Sequence, residues 1–266
     1  MVLKDGALVG VLIARSARQN GVKFSHVETH LNVVLRLRQD LWFGIVTRRM
    51  MKGIVLGLFS AFAAAAVLGQ NIPPAIFADP QPDQAHPAKM SVLHVPSHGV
   101  LINGLLYQPP GAGLHPTLVI CHGLPGNEKN LDLAQAVRRS GWNAVTFNYR
   151  GSRGSPGHFS FSQNLEDADA VLAFLRDPAH ARSLGIDPKN IAIAGHSMGG
   201  WVVAHTAAHD HALIGAILIS AADMGHDGEQ ARDAVVKQMA DDMEGLAGVT
   251  AESLADELSK NAKPAG

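Results

Sequence analysis

The chain has 266 residues, of which 47% are hydrophobic and 17% charged; this apolar content is enough for a sizeable core and excludes a disordered chain. The net charge of −1 is unevenly spread, since residues 1–52 carry nine Lys/Arg and three Asp/Glu while residues 53–266 carry thirteen and twenty. The larger part is therefore acidic, which argues against nucleic-acid binding, and no nucleic-acid partner is expected.

The N-terminal region is typical of an export signal preceded by extra sequence. A basic cluster at residues 48–52 comes before 26 uncharged residues, and the strongly apolar part of these, residues 54–68, is 15 residues long. A basic start, a short apolar core and small residues near the cleavage site predict a signal peptide over residues 50–78, with residues 1–49 as an upstream extension. The protein is then expected to be periplasmic or secreted, with cleavage near residue 69.

Two alternatives remain open for this region. A helix that crosses a membrane needs about 20 apolar residues, so an anchor over residues 53–78 ranks behind a cleaved signal. Contact with a membrane is expected only if this segment stays uncleaved. Residues 1–49 are alternatively a genuine N-terminal extension or a transit-like segment.

After a proline-rich linker at residues 79–89, the pattern of residues 90–266 predicts an α/β domain. The predicted strands cover residues 90–96, 100–108, 115–120, 142–149, 191–194 and 213–220, and the predicted helices cover residues 131–140, 163–177, 198–209, 230–246 and 250–260. The first two strands are expected to form an antiparallel hairpin. From residue 115 onward strands and helices alternate, which predicts a mainly parallel sheet with helices on both faces. The last helices, within residues 228–262, are interpreted as lid-like.

A glycine-rich turn follows the strand predicted over residues 191–194. Residues 195–199, with the sequence GHSMG, fit the G-x-S-x-G pattern, in which a serine occupies a sharp turn between a strand and a helix. Glycine at both outer positions removes β-carbons that would clash, and the turn raises the serine hydroxyl above the sheet. The motif predicts a nucleophilic Ser197, with amides at the helix start directed at a developing oxyanion.

The other histidines and the cysteine predict no second site. His205, His209 and His211 offer an i, i+4 pair on a predicted helix, but no third ligand lies nearby in the sequence, so a solvated helix end is favoured over a metal site. Cys121 lies inside an apolar run and is interpreted as a core residue. No metal and no cofactor are therefore expected.

These features together resemble the α/β-hydrolase fold, and in particular its serine aminopeptidase and prolyl-oligopeptidase-like branch. The resemblance covers about residues 90–225. It rests on the turn at Ser197, on the sequence HGLPG at residues 122–126 and on the sequence NYRGSRGS at residues 148–155. The three motifs keep the order and spacing of that family, so the resemblance extends to the architecture of the domain.

The resemblance implies roles for individual residues. Ser197 is the expected nucleophile, and the backbone N–H groups of Leu124 and Met198 are the expected donors of an oxyanion hole. His122 is implied to shape its loop, with a role as general base as the alternative. Arg150 is implied to orient the loop that follows its strand, with substrate binding as the alternative.

One part of the family pattern is missing. The implied order is Ser, acid, His, with the acid and the histidine after two further strands, whereas only 69 residues follow Ser197 and no histidine lies beyond His226. The triad acid and base are therefore expected to be absent or improvised, with Asp223 and His226 as an alternative local pair. The chain is interpreted as lacking its C-terminal part, and the strand at 213–220 is expected to be an open, apolar edge.

The predicted function is that of an exported serine hydrolase that cleaves an ester or peptide bond of a small-molecule or peptide substrate through an acyl-enzyme on Ser197. The first alternative is a catalytically impaired fragment or pseudoenzyme, because a serine hydroxyl without its base is a weak nucleophile at neutral pH. The second is a membrane-anchored binding module, which rests only on residues 53–78.

Overall fold

A seven-stranded mixed sheet organises the part of the chain that the computed structural model describes, namely the strand Val11–Arg15 and residues 73–261. The strands are β1 (Val11–Arg15), β2 (Lys89–Ser97), β3 (Val100–Gln108), β4 (His115–Cys121), β5 (Asn143–Phe147), β6 (Ile186–His196) and β7 (Gly215–Ile219). The helices are α1 (Leu131–Arg139), α2 (Phe161–Arg176), α3 (Pro178–Ser183), α4 (Met198–His209), α5 (Met224–Glu229), α6 (Arg232–Ala240) and α7 (Ala251–Asn261). Among the described residues, no helix has both the length and the apolar character needed to cross a bilayer.

Strand pairing confirms the expected mainly parallel sheet. The order across the sheet is β1-β7-β6-β4-β5-β3-β2. Strands β5, β4, β6 and β7 run parallel to one another, while β2 and β3 form the expected antiparallel hairpin and β3 pairs antiparallel with β5. In the central strand β4, Val119 pairs with Val145 on one side and Ile193 on the other. The carboxyl ends of the parallel strands therefore meet at one edge, where sites in such sheets usually lie.

Alternating side chains bury the two faces of the sheet separately. Leu118 and Ile120 of β4 belong to a cluster that α1 covers through Ala134, while Val119 and Cys121 belong to a larger cluster. Helices α2 and α4 and the last three helices all contribute to that larger cluster. The interpretation of Cys121 as a core residue is confirmed, since its thiol is fully buried.

The structure corrects the predicted elements at three places. The helix predicted over residues 230–246 is too long, because α6 covers only Arg232–Ala240, and the preceding helix α5, which the extended Gln230 (ψ 162°) separates from it, was not predicted. Strand β6 begins at Ile186 rather than at residue 191, since it already pairs there with His115 of β4. Helix α3, which the Asp177 carboxylate caps through two backbone N–H groups, was not predicted.

The expectation of an open edge at β7 is also wrong. Strand β1 pairs antiparallel with β7, from Val11 opposite Ile219 to Arg15 opposite Gly215. This pairing satisfies backbone groups that an edge strand would leave exposed. The two strands are far apart in the chain, so no local sequence pattern predicts that they pair.

The segment predicted as a linker contacts the domain. Asp79 forms ion pairs with Arg138 and Arg139 of α1. The carbonyl oxygen of His86 accepts a hydrogen bond from the backbone N–H of Gly111 at 2.9 Å. Residues 50–72 of the predicted signal peptide or anchor lie outside the described residues. Most of the predicted upstream extension, residues 1–49, lies outside them as well.

Candidate active site

The turn between β6 and α4 holds Ser197 in a rare backbone conformation, with φ 54° and ψ −122°. The backbone N–H of Ser197 donates to the carbonyl oxygen of Ile219 at 3.1 Å, and its own carbonyl accepts from the N–H groups of Ala222 at 3.0 Å and Gly200 at 2.9 Å. Both strand β7 and the segment after it therefore fix the turn. A left-handed conformation persists in a non-glycine residue only when its surroundings impose it in this way.

Steric crowding explains the two outer glycines of the turn. A β-carbon on Gly195 would lie 2.1 Å from the carbonyl oxygen of Gly199, and one on Gly199 would lie 2.1 Å from the carbonyl oxygen of Cys121. Real β-carbons do not approach backbone atoms this closely. The sequence argument for glycine at both positions agrees with the packing of α4 onto β6 and β4.

The loop at residues 122–126 lies against the serine. A β-carbon on Gly123 would be 3.2 Å from the Cβ atom of Ser197. Leu124 is half-buried and packs on the larger core cluster. Met198, which follows Ser197 in the turn, is buried, and its sulfur lies 3.4 Å from the amide nitrogen of Asn164. The two residues expected to supply oxyanion donors thus lie on the two segments that meet at Ser197. Asn164, on α2, was not singled out from the sequence.

The side chain of His122 stabilises this loop from within. It is buried, its Nδ1–H donates to the carbonyl oxygen of Gly123 at 2.7 Å, and its ring packs edge-on against Tyr149 with centroids 4.6 Å apart. The pKa of His122 is lowered to about 4, mainly by burial and to a smaller extent by the nearby cations Lys129 and Arg153, while the hydrogen bond to Gly123 opposes the shift. The imidazole is therefore neutral at pH 7, in agreement with a loop-shaping role.

Arg150 also has a structural environment. Its backbone N–H and its Nε each donate to the Asp167 carboxylate at 2.7 Å, and the hydroxyl of Ser97 donates to the same carboxylate. Asp167 is fully buried, and Arg150 nearly so. Because the guanidinium bonds to α2 residues, it fixes the loop after β5, as expected, and is not directed at a substrate.

The alternative local pair of Asp223 and His226 does not form. The Asp223 carboxylate accepts the backbone N–H of His226 at 3.0 Å as a helix cap, whereas the His226 imidazole is exposed and lies 3.7 Å from Glu229. Among the described residues, the Ser197 hydroxyl has no hydrogen bond with a histidine or carboxylate side chain. The expected catalytic base is thus not supplied by His226.

The histidines of α4 have other partners. The Nε2 atom of His209 lies 3.0 Å from the Asp169 carboxylate, and the ring of His205 packs against Trp201 with centroids 4.8 Å apart. Among the described residues, no group of three potential metal ligands comes together.

A cavity of about 620 Å³ lies beside α4 and was not predicted. Its walls are mainly apolar and include Trp201, Ala204, Leu218 and Ala222, with the Asp223 carboxylate among its few polar groups. Two of the residues that line it, Ala222 and Trp201, donate their backbone N–H groups to the Ser197 carbonyl, although Ser197 itself does not line the cavity. Its size is that of a small-molecule site.

The segment predicted as lid-like is attached to the glycine-rich loop after β5. The N–H of Arg153 donates to the carbonyl of Gly245 at 2.8 Å, the N–H of Ala247 to the carbonyl of Gly151 at 2.7 Å, and the N–H of Phe159 to the carbonyl of Ala247 at 2.9 Å. These backbone bonds hold residues 245–247 in place on the domain.

The sequence of the chain matches a known protein family. Residues 116–259 match the alpha/beta hydrolase fold family. The quorum-quenching protein AidA of Acinetobacter baumannii is 35% identical over 128 residues, which are 46% of this chain and 40% of that protein. An uncharacterized protein of Mycobacterium tuberculosis is 28% identical over 124 residues, 46% of this chain and 42% of that protein.

Solved structures are similar to this chain over a segment of comparable length. The carboxylesterase EstE1, cloned from a metagenomic library, is 28% identical with a TM-score of 0.39, over 47% of this chain and 42% of that protein. The matched segment spans about 40% of the length of the curated relatives.

Proposed function

The chain belongs to the alpha/beta hydrolase fold family, and from this premise we propose that it cleaves an ester or a related acyl bond through an acyl-enzyme on Ser197. The observation that carries this proposal is the backbone of Ser197, at φ 54° and ψ −122° on a turn between a parallel strand and a helix. A strained serine at that place has no evident structural use. This backbone geometry supports the proposal of a nucleophile elbow, a turn that raises the serine hydroxyl above the carboxyl edge of the sheet.

The proposed chemistry begins with attack of the Ser197 hydroxyl on the carbonyl carbon of the substrate. The C–O bond of the ester then breaks, the alcohol leaves with the proton taken from the serine, and water hydrolyses the acyl-enzyme to release the acid. During the attack, negative charge develops on the carbonyl oxygen, and the N–H groups of Leu124 and Met198 are the proposed donors to it. Two fixed amide donors stabilise this charge in the transition state without reorganisation. The close approach of this loop to Ser197, where a β-carbon on Gly123 would lie only 3.2 Å from the Cβ atom of the serine, supports this role for the loop.

The attack also needs a base to accept the hydroxyl proton. In the described residues no imidazole is hydrogen-bonded to Ser197, and His122 is buried with its Nδ1–H committed to Gly123. No described residue is therefore proposed as the general base. The same observation favours a second candidate function, a hydrolase domain that keeps the binding site but turns over slowly, because an oxyanion hole alone gives only residual catalysis.

A small-molecule substrate is proposed, in line with the cavity beside α4. The relative that is named for quorum quenching makes a small signalling molecule one candidate substrate. Peptide cleavage by the aminopeptidase-like branch and export through residues 50–78 stay predictions from the sequence.

The test is labelling of the unmodified 266-residue chain with a fluorophosphonate, beside Ser197→Ala. Ser220→Ala is a matched control, since Ser220 also follows a strand and also has positive φ (44°). We expect labelling that disappears in Ser197→Ala and persists in Ser220→Ala. Absence of labelling in folded protein would remove the active-enzyme proposal and leave the impaired domain.

A further inference from the structure

Two basic side chains lie against the loop at residues 122–126. Lys129 follows this loop and is half-buried, and its ammonium donates to the side-chain oxygen of Asn148. Arg153 comes from the loop after β5, and its Nε donates to the carbonyl oxygen of Pro125 at 3.3 Å. Each cation is close enough to His122 to lower the pKa of that imidazole. The chain thus collects two positive charges beside the segment that contacts Ser197.

Among the described residues, these two charges have one weak counter-ion. The only carboxylate within 4.0 Å of either group, among the described residues, belongs to Glu244, which is 82% exposed and 3.8 Å from Nη1 of Arg153. The Nη2 atom of Arg153 is buried and has no hydrogen-bond partner among the same residues. Burial lowers the pKa of Lys129, and the adjacent Arg153 lowers it further. Two partly buried like charges whose one carboxylate partner is distant and exposed are unfavourable, which favours an anion that binds beside them.

We propose that Lys129 and Arg153 form a subsite for a carboxylate on the substrate. A guanidinium presents parallel N–H donors that match the two oxygens of a carboxylate, and the lysine adds a mobile donor. The carboxylate of Glu244, which already approaches Arg153 from the solvent side, shows which chemistry fits and would be displaced by the substrate.

The position of the subsite connects it to the candidate nucleophile. The loop at residues 122–126 contacts Ser197 through Gly123 and Arg153 through Pro125. An acyl substrate with a second, free carboxylate could therefore reach both. A role of this subsite in selecting substrates rests on the proposed hydrolase function. Binding of an anion at this subsite does not depend on that function.

Binding of glutarate to the unmodified chain, measured by titration calorimetry beside the uncharged diamide of glutaric acid, tests the subsite without any need for turnover. We expect glutarate to bind at least about tenfold more tightly than the diamide, with an affinity that falls as salt rises. Lys129→Gln and Arg153→Gln should each weaken glutarate binding about tenfold. Lys237→Gln, an exposed lysine of α6, should leave it unchanged.

Two further variants separate the subsite from a structural role. Arg153→Lys keeps the charge and should retain most of the binding, even if Arg153→Gln folds poorly. Glu244→Gln removes the competing carboxylate and should tighten glutarate binding. Equal binding of glutarate and the diamide by folded protein, or no detectable binding of glutarate, would overturn the proposal.

The hydrolase proposal fails by a different result, namely absence of fluorophosphonate labelling. Protein that is labelled by the fluorophosphonate but does not bind glutarate would be a hydrolase without this subsite. Unlabelled protein that binds glutarate through Lys129 and Arg153 would keep the subsite as an anion-binding site.

Discussion

Glu257 caps the helix that begins at Phe161, although the two residues are 96 positions apart in the chain. One oxygen of its carboxylate accepts the backbone N–H of Ser162 at 2.9 Å, and the other accepts the N–H of Phe161 at 3.1 Å. The local N-cap residue, Ser160, makes no such bond and instead donates its hydroxyl to the same carboxylate at 2.7 Å. A residue of α7 thus supplies the anion that the first turn of α2 needs.

Removal of this cap should destabilise the protein. We expect Glu257→Ala to lower the free energy of unfolding by about 1–2 kcal/mol, because two N–H groups lose their acceptor. Urea denaturation monitored by circular dichroism measures this change. Glu229→Ala, which removes an exposed glutamate of α5, serves as the control and should have little effect. Equal midpoints for the two variants would mean that water caps α2 equally well.

Substitution of Gly199 should disrupt the candidate site. Gly199→Ala places a β-carbon 2.1 Å from the carbonyl oxygen of Cys121, so α4 must move away from β4. We expect a loss of about 3 kcal/mol or more in stability, together with loss of fluorophosphonate labelling. In Gly225→Ala, the new β-carbon meets only a side-chain oxygen at 3.5 Å, and stability should be nearly unchanged. A stable, labelled Gly199→Ala protein would contradict the described packing.

The burial of His122 predicts a loss of stability in mild acid. Burial lowers the pKa of this imidazole from 6.5 to about 4, so the unfolded chain binds more protons than the folded chain between these two pH values. The stabilisation by the neutral ring is complete above pH 6.5 and is lost as the pH falls towards 4. Its full size is about 3 kcal/mol.

Urea midpoints measured at pH 7, 5.5 and 4.5 test this prediction. His122→Gln removes the titrating group, so its stability should change less over this range than that of the unmodified protein. Parallel pH dependences of the two proteins would show that His122 does not titrate as described.

The pair of His209 and Asp169 should have the opposite pH dependence. The hydrogen bond that His209 donates to the Asp169 carboxylate raises the pKa of His209 above 6.5. The protonated ring therefore stabilises the fold below pH 6.5, and this contribution is lost as the pH rises through the folded pKa. Because both side chains are about half exposed, the contribution should stay below about 1 kcal/mol. Asp169→Asn should abolish the upward shift in the titration of His209 followed by NMR. An unchanged titration in that variant would exclude Asp169 as its cause.

Local patterns in the sequence were sufficient to predict the strands and helices whose apolar residues follow a clear pattern. The apolar runs around Val119 and Ile193 predict parallel strands because both faces of those strands are buried. The crowding around Ser197 follows from the spacing of two glycines. These features depend on residues that are neighbours in the chain.

The features that escaped prediction depend on distant pairings. Lys129 and Arg153 lie in different loops, which follow the adjacent strands β4 and β5. Glu257 looks like a solvated residue of an amphipathic helix until α7 docks on α2.

The hydrogen bonds of Ser197 have a consequence for the order of folding. Its N–H requires Ile219 at the end of β7, and its carbonyl requires Ala222 in the segment after it. A nascent chain that has completed β6 and α4 but not β7 therefore has no means to hold the serine in its strained conformation. The reactive geometry is a late product of folding, and a chain interrupted before residue 219 would carry the whole motif in its sequence without having the site.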